Sequence, residues 1–125
     1  MKRSYHIVLL IPVIVFAGCR PEWIGPKVDR AAVERGRSVW DAEECSACHG
    51  ENGEGTTIGP SLSDVAEHWQ DESLAGFLKD PQGQLEDNPR LKELTSTYDV
   101  DMPGVRQADD DEVEDLVVFL LNGIE

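Results

Sequence analysis

Residues 45–49 are Cys-Ser-Ala-Cys-His, and this short stretch decides the fold. Two thiols three positions apart on a helical turn, Cys45 and Cys48, can each add to one vinyl group of a porphyrin and form a thioether. The next residue, His49, is then placed to bind the porphyrin iron through an imidazole nitrogen. The stretch predicts one covalently attached haem c, held by the two cysteines, with His49 as the proximal ligand of the iron.

Three other interpretations of this stretch each lack something that their chemistry requires. A structural zinc site needs a second pair of ligands, and beyond the N-terminal leader only His68 is left to supply one. A thioredoxin-like redox pair needs a strand that leads into it, and no alternating strand pattern precedes Cys45. A disulfide between Cys45 and Cys48 suits an exported protein but gives His49 no role.

Met102 is the predicted sixth ligand of the iron, because it is the only methionine besides Met1. It lies in a loop of polar residues and turn formers, where a methionine has little to pack against and the role of core filler is the weaker interpretation. A thioether sulfur also raises the reduction potential of the iron. His68 is the rival ligand, but it lies on a short helical segment beside Trp69, where a surface or propionate-facing role is the better explanation.

The hydrophobic pattern is helical, without alternating strands or internal repeats, and predicts an all-α fold. The first helix begins after Asp29, a suitable N-cap, and the last begins after Asp109, which can form a reciprocal cap with Glu112 three residues later. Gly123 is a suitable C-cap for the last helix. The apolar faces of these two helices are Ala32, Gly36, Val39 and Trp40 in the first, and Val113, Leu116, Val117 and Leu120 in the last.

The middle of the chain is predicted to consist of short helical segments joined by loops. Pro81 is predicted to end one of these segments, and Asn88 followed by Pro89 is typical of the start of another. The predicted pieces are a loop over residues 50–60, helical segments over 62–69 and 73–79, and one or two helical turns over 91–96.

With these residues in place, the chain from residue 29 to residue 125 resembles the class I cytochromes c with one haem. Gly36 and the aromatic Trp40 four residues later resemble the family's first helix, in which a glycine lets the last helix cross closely. Phe119 is similar to the aromatic residue that packs at that crossing. The resemblance implies the cytochrome c fold: short helices around a covalently bound haem, with the N- and C-terminal helices crossing.

The same resemblance implies two roles near the iron. Pro60 is similar to the proline whose carbonyl accepts a hydrogen bond from the proximal histidine, which places it behind that ring as a support. Met102 and Pro103 resemble the family's distal-ligand dipeptide. The chain departs from the family in two places. The stretch from Trp40 to Cys45 is one residue longer than expected, and the segment before Met102 is long and acidic.

The first residues of the chain are predicted to be an export signal. Two basic residues precede an apolar run over residues 7–16, which is too short to cross a bilayer as a helix. Ala17 and Gly18 then lead into Cys19, a pattern that resembles the bacterial lipoprotein signal, in which lipid is attached to the cysteine. The expected organisation is a signal peptide over residues 1–18 that is removed, a tether over 19–28 that begins at the lipidated Cys19, and a cytochrome c domain over 29–125.

The chain is strongly acidic, with 25 acidic and 11 basic residues among 125 and a formal net charge of −14 at pH 7. Its length supports one small domain. A nucleic-acid partner is not expected, because a phosphate backbone needs clustered Lys and Arg. Family members that dock on acidic surfaces carry a ring of lysines around the haem edge, and only Lys27, Lys79 and Lys92 follow the leader here. We therefore expect a partner that is basic at its docking site or is not selected electrostatically.

These observations predict an electron-transfer protein rather than an enzyme, because an iron with both axial positions filled does not readily bind a substrate. The expected function is single-electron transfer in a respiratory-type chain. The cytochrome is expected to be anchored in a membrane by lipid on Cys19 and to face the periplasm or the cell exterior. The partners implied are a quinol-oxidising complex and a terminal oxidase or reductase, with no small-molecule substrate. Two roles stay open: a mobile carrier, or a fixed haem-bearing subunit of such a complex.

Overall fold

The computed structural model describes residues 27–124, and the secondary structure within them is helical, with no strand. The all-α prediction is confirmed for this part of the chain. None of its helices is both long and apolar enough to cross a membrane. The predicted signal peptide, Cys19 and most of the predicted tether lie outside the described residues. The helices are α1 (Arg30–Ala42), α2 (Ser46–His49), α3 (Val65–His68), α4 (Asp71–Lys79), α5 (Pro81–Gln84), α6 (Pro89–Thr97) and α7 (Asp110–Asn122).

Both long helices begin at the predicted caps. The Asp29 carboxylate accepts a hydrogen bond from the N–H of Ala31 at 3.0 Å at the start of α1. At the start of α7, the Asp109 carboxylate accepts from the N–H of Glu112 at 3.0 Å, and the Glu112 carboxylate accepts from the N–H of Asp109 at 2.9 Å. This reciprocal cap satisfies two N–H groups that the start of a helix otherwise leaves unpaired.

The crossing of α1 and α7 confirms the expectation drawn from the family. Gly36 of α1 lies against the backbone of Asp115 in α7, and a Cβ at Gly36 would overlap the carbonyl oxygen of Asp115. Trp40 packs edge-on against Phe119, with 5.9 Å between the ring centroids. Because the glycine has no side chain, the two backbones approach closely, and the apolar face of α7, including the fully buried Leu116, closes the core against α1.

The helices α3 and α4 differ from their predicted bounds. The predicted segment 62–69 is helical only over α3. The N–H of Leu62 is used outside the helix, in a 2.7 Å hydrogen bond to the carbonyl of Gly53, so the chain before α3 is held as part of the preceding loop. Helix α4 begins at Asp71, two residues before the predicted start at Ser73.

The prediction for Pro81 was correct for the end of α4 but did not include the start of α5. Helix α4 ends at Lys79 as expected, but Pro81 then occupies the first position of α5, where a proline is tolerated because the first N–H groups of a helix have no partner within it. The Asp80 carboxylate caps this turn by accepting from the N–H of Gly83 at 3.0 Å. The expected start of α6 is confirmed, with Asn88 as its N-cap.

Candidate functional site

The Cys-Ser-Ala-Cys-His stretch forms a single helical turn, α2, shortly after α1. The connection between the two helices consists of residues 43–45. In it, Glu44 has a left-handed backbone with φ of 55°, and the N–H of Cys45 donates to the carbonyl of Trp40 at 3.1 Å. This tight turn starts α2 close to the end of α1.

Cys45, at the N-cap of α2, and Cys48, within it, form no disulfide in the described part of the chain, and both are partly buried. Burial raises the pKa of the Cys45 thiol to about 11, and the negative charge of Glu43 adds to the effect. A reactive pair of the thioredoxin type needs the opposite, a thiol with a lowered pKa. The surroundings of Cys45 therefore do not favour the redox-pair interpretation of the motif.

The imidazole of His49 is buried and oriented by one hydrogen bond. Its Nδ1 lies 2.8 Å from the carbonyl oxygen of Pro60. A carbonyl oxygen can only accept, so Nδ1 carries the proton and Nε2 keeps the lone pair that a metal requires. Burial lowers the pKa of His49, although the hydrogen bond to Pro60 opposes the shift. The ring is therefore held in the neutral form that binds metals.

The loop after α2 uses the carbonyl groups at the end of that helical turn. The N–H of Gly55 donates to the carbonyl of His49 at 2.7 Å, and the hydroxyl of Thr56 donates to the carbonyl of Cys48 at 2.6 Å. These bonds satisfy groups that the end of a helix leaves unpaired. They also fold the loop back over α2, which brings the carbonyl of Pro60 to the imidazole of His49.

One cavity of about 570 Å³ collects the predicted haem residues. Cys45, Cys48, His49 and Met102 all line it. The volume falls within the range of about 300 to 1,000 Å³ that is usual for cofactor and ligand pockets. Two thiols, an imidazole and a thioether around an apolar space fit a covalently bound haem. The apolar wall includes Trp40, Leu74, Leu78, Leu91, Leu116 and Leu120.

Met102 lies half-buried in the loop between α6 and α7 and packs against the core. The part of the loop that follows it is tied to α4, because the N–H of Val105 donates to the carbonyl of Leu78 at 2.9 Å. The part that precedes it, residues 99–101, is exposed. The backbone that follows Met102 is therefore fixed more firmly to the protein than the backbone that precedes it.

The sequence profile of the cytochrome c family matches residues 33–123, which is most of the chain. This chain belongs to the cytochrome c family. With Cys45 and Cys48 at the attachment positions, it carries one covalently bound haem c. When bound, the haem supplies an iron that changes between the ferric and the ferrous state.

Solved structures of other cytochromes c are similar to this one. The cytochrome c from Rhodothermus marinus shares 22% sequence identity with it over 78% of this chain and 80% of that chain, with a TM-score of 0.64. An engineered form of that protein, Rma TDE, gives a TM-score of 0.63, and the same form bound to a carbene intermediate gives 0.61, each at 22% identity. At this identity the likeness shows the cytochrome c fold. The comparison with curated protein sequences found no match.

His68 does not line the haem cavity of this cytochrome c. It is exposed at the end of α3, and its Nε2 lies 3.1 Å from Oδ2 of Asp64. An Nη2 of Arg90 lies 3.8 Å from the same carboxylate oxygen, and both Asp64 and Arg90 do line the cavity. A group bound in the cavity can therefore contact Met102, whereas His68 lies outside the cavity lining.

Glu43 lines the cavity, although its sequence context does not predict a place there. Partial burial by itself raises the pKa of its carboxyl group, but hydrogen bonds from three backbone N–H groups more than offset this, so the pKa lies below its ordinary value. No local signal marks the residue, because Asp41 and Glu44 beside it are also acidic. Its hydrogen-bond partners lie 63 to 65 residues later in the chain.

Proposed function

We propose that this cytochrome c is a membrane-anchored carrier that transfers single electrons in a respiratory-type chain, with His49 and Met102 as the axial ligands of the haem iron. The observation that carries the proposal is that one apolar cavity is lined by both of these residues and by Cys45 and Cys48. Helix α2 and the turn before it supply three of the four, and the loop before α7 supplies Met102. Met102 is also the only methionine among the described residues.

Two filled axial positions suit electron transfer, because the iron can change oxidation state with little rearrangement around it. The Pro60 carbonyl holds His49 in the tautomer whose Nε2 can bind the iron, and it restricts rotation of the ring. A methionine sulfur favours ferrous iron and raises the reduction potential. This combination suits a carrier on the oxidising side of a respiratory chain.

Absorption spectra of the purified holoprotein, oxidised and reduced and with and without carbon monoxide, test the two ligands. We expect a low-spin spectrum that carbon monoxide does not change, with a weak far-red sulfur-to-iron band in the oxidised form. Met102→Ala should abolish that band and let carbon monoxide bind the reduced protein. Asp99→Asn, at an exposed position of the same loop that does not line the cavity, should change neither. A high-spin or carbon-monoxide-binding spectrum of the unaltered protein would show that Met102 is not bound to the iron.

The membrane anchor is supported by the leader alone, in which a short apolar run and two small residues precede Cys19. We expect the protein in the membrane fraction, from which detergent releases it, because acyl chains on the cysteine supply about 0.8 kcal/mol per buried CH₂. Cys19→Ser should lose this association. Recovery of the unaltered protein in the soluble fraction would contradict the anchor and leave the electron-transfer proposal standing.

The charge distribution supports the second candidate, a fixed subunit of a membrane oxidoreductase complex. The basic residues that line the cavity are Arg90 and Arg106, and none of the lysines in the described part of the chain lines it. Lys79 is paired with Asp110 at 2.6 Å. Without a lysine ring, a mobile carrier has little electrostatic steering toward acidic partners.

Extraction in mild detergent separates the two roles. A carrier should purify alone, and a subunit should purify with the rest of its complex. Electron transfer to the partner should slow as salt is raised if that partner is basic at its docking site, and should be nearly independent of salt if docking is not electrostatic. A steep loss of rate with salt in the presence of an acidic partner would contradict the expectation drawn from the acidic surface.

A further inference from the structure

Glu43 joins the two haem-binding segments of the chain through one carboxylate. Its Oε2 accepts a hydrogen bond from the N–H of Arg106 at 3.0 Å. Its Oε1 accepts from the N–H of Gln107 at 2.7 Å and from the N–H of Ala108 at 2.8 Å. Three consecutive backbone N–H groups therefore converge on one ionised side chain, and hydrogen bonds to an ionised acceptor are the stronger kind.

The place of Glu43 in the chain connects these bonds to both sides of the haem cavity. Glu43 is the C-cap of α1 and stands two residues before Cys45, which carries the haem. The segment that it binds starts four residues after Met102 and ends directly before Asp109, the N-cap of α7. One carboxylate thus fixes the attachment side of the cavity relative to the loop that holds Met102.

Other contacts reinforce this connection on the same side of Met102. The side-chain amide of Gln107 donates to the carbonyl of Ala42 at 3.4 Å, next to Glu43, and the N–H of Val105 donates to the carbonyl of Leu78 at 2.9 Å. Residues 99–101, which precede Met102, are exposed. The position of Met102 is therefore set chiefly by the backbone that follows it, and Glu43 holds three of those residues.

We propose that Glu43 is a positioning residue for Met102: by fixing residues 106–108 against the end of α1, it keeps the Met102 sulfur on the haem iron and opposes its replacement by other ligands. This inference rests on the proposed role of Met102 as an axial ligand. Glu43 acts through the backbone of the loop and not by contact with the iron.

Three variants of the holoprotein separate the hydrogen bonds from the charge. Glu43→Gln keeps the size of the side chain, but only one of its two terminal atoms can accept, and its NH₂ group opposes one of the backbone N–H donors. Glu43→Ala removes all three hydrogen bonds. Glu34→Gln is the matched control, because it removes the same charge from an exposed position on α1.

Imidazole titrated into the ferric holoprotein competes with the Met102 sulfur for the iron. The loss of the far-red band during the titration measures how readily the sulfur leaves the iron. We expect the apparent affinity for imidazole to rise about tenfold in Glu43→Gln, which is the change expected for one lost charge-assisted hydrogen bond. It should rise further in Glu43→Ala and stay unchanged in Glu34→Gln. The reduction potential should fall in the same order, because a weakly held sulfur stabilises ferrous iron less.

The possible outcomes distinguish this inference from the proposed function. Equal imidazole affinities in all four proteins, with a lower Tm in the Glu43 variants, would show that the carboxylate only fastens the fold, and would overturn the role of Glu43 while leaving Met102 as a ligand. Absence of the far-red band in the unaltered protein would overturn both. If Glu43→Ala does not accumulate, the comparison of Glu43→Gln with Glu34→Gln decides the question.

Discussion

The crossing of α1 and α7 and the wall formed by α3 to α6 are built in opposite ways. The two crossing helices have 13 residues each, and their contact is closed by protein atoms, with Leu116 and Val113 almost wholly excluded from solvent. The four wall helices have between 4 and 9 residues and surround a cavity of about 570 Å³. Trp40, Leu116 and Leu120 of the crossing helices also line this cavity. The contact between α1 and α7 is nevertheless made by protein atoms, whereas the four wall helices need the haem to fill the space that they surround. The free energy of unfolding should therefore depend on close protein packing at the crossing and on the bound haem at the wall.

The largest effect is expected from removing the haem attachment. In the double variant Cys45→Ala, Cys48→Ala the haem is no longer held covalently, and the apolar cavity wall loses the group that it packs against. We expect a largely unfolded chain, because the short wall helices are too short to be stable alone. Far-UV circular dichroism measures the loss of helix.

Ser46→Ala is the control for this variant, because it changes the same motif and keeps both cysteines. It should retain the haem and the full helical signal. A full helical signal from the double variant without haem would show that the wall helices form a core of their own, and the contrast between the two regions would fail.

The next largest effect is expected at the crossing, from Gly36→Ala. The added methyl group would meet the Asp115 backbone and would lie 2.7 Å from the Cβ of Phe119. Neither can move without shifting α7, so the variant should lose about 1–3 kcal/mol of stability or more. Thermal unfolding of the holoprotein checks this, and the haem spectrum should stay nearly unchanged because Gly36 does not line the cavity.

Gly76→Ala is a matched control in the wall helix α4. A Cβ at Gly76 would meet only the side-chain amide nitrogen of Gln84, at an ordinary contact distance of 3.9 Å. The same substitution should therefore stabilise the protein slightly, by about 0.5–1 kcal/mol, because alanine favours a helix over glycine. Equal losses of Tm in both variants would mean that the close approach at Gly36 is not what sets the crossing.

The same contrast explains which parts of the fold the sequence could predict. The caps Asp29 and Asp109 act on residues two or three positions away, so their pattern is visible in the chain. The haem motif is equally local. The predicted start of α3 was wrong because the observed start depends on the hydrogen bond from the N–H of Leu62 to the carbonyl of Gly53. Hydrophobic periodicity does not reveal this bond. Hydrophobic periodicity reports which face of a helix is buried and not where the helix ends.

Most of the candidate site was predictable because its signal is local in the chain. The prediction missed Glu43 because the role of that residue depends on distant parts of the chain. Cysteine, histidine and methionine are scarce in this chain, so their positions stand out in the sequence. The structure brings four of these residues to one cavity: Cys45, Cys48, His49 and Met102. Glu43 belongs to a common type among many acidic residues. Its role depends on backbone groups 63 to 65 residues away, which only the fold brings near.

The smallest effect is expected from the ion pair at the edge of the crossing. Arg35 Nε donates to Oδ2 of Asp115 at 2.6 Å, and Arg35 Nη2 donates to Oδ1 at 2.7 Å. This pairing lowers the pKa of Asp115 below its ordinary value of 3.8, although partial burial opposes the shift. A carboxyl group whose pKa is lowered by folding stabilises the folded state above its ordinary pKa, and that contribution disappears as the pH falls through the lowered pKa.

Asp115→Asn should therefore lower Tm slightly at neutral pH, and the difference from the unaltered protein should shrink below about pH 4 as the native carboxyl group is protonated. Asp110→Asn is the control, since its pair with Lys79 at 2.6 Å is more exposed and links α7 to the wall helix α4 and not to α1. Its effect should be smaller still, because an exposed pair is screened by solvent. An Asp115→Asn difference that stays constant from neutral to acid pH would show that the side chain supports the crossing by packing and not by charge. The closeness of α1 and α7 would then rest on Gly36 and its apolar neighbours alone.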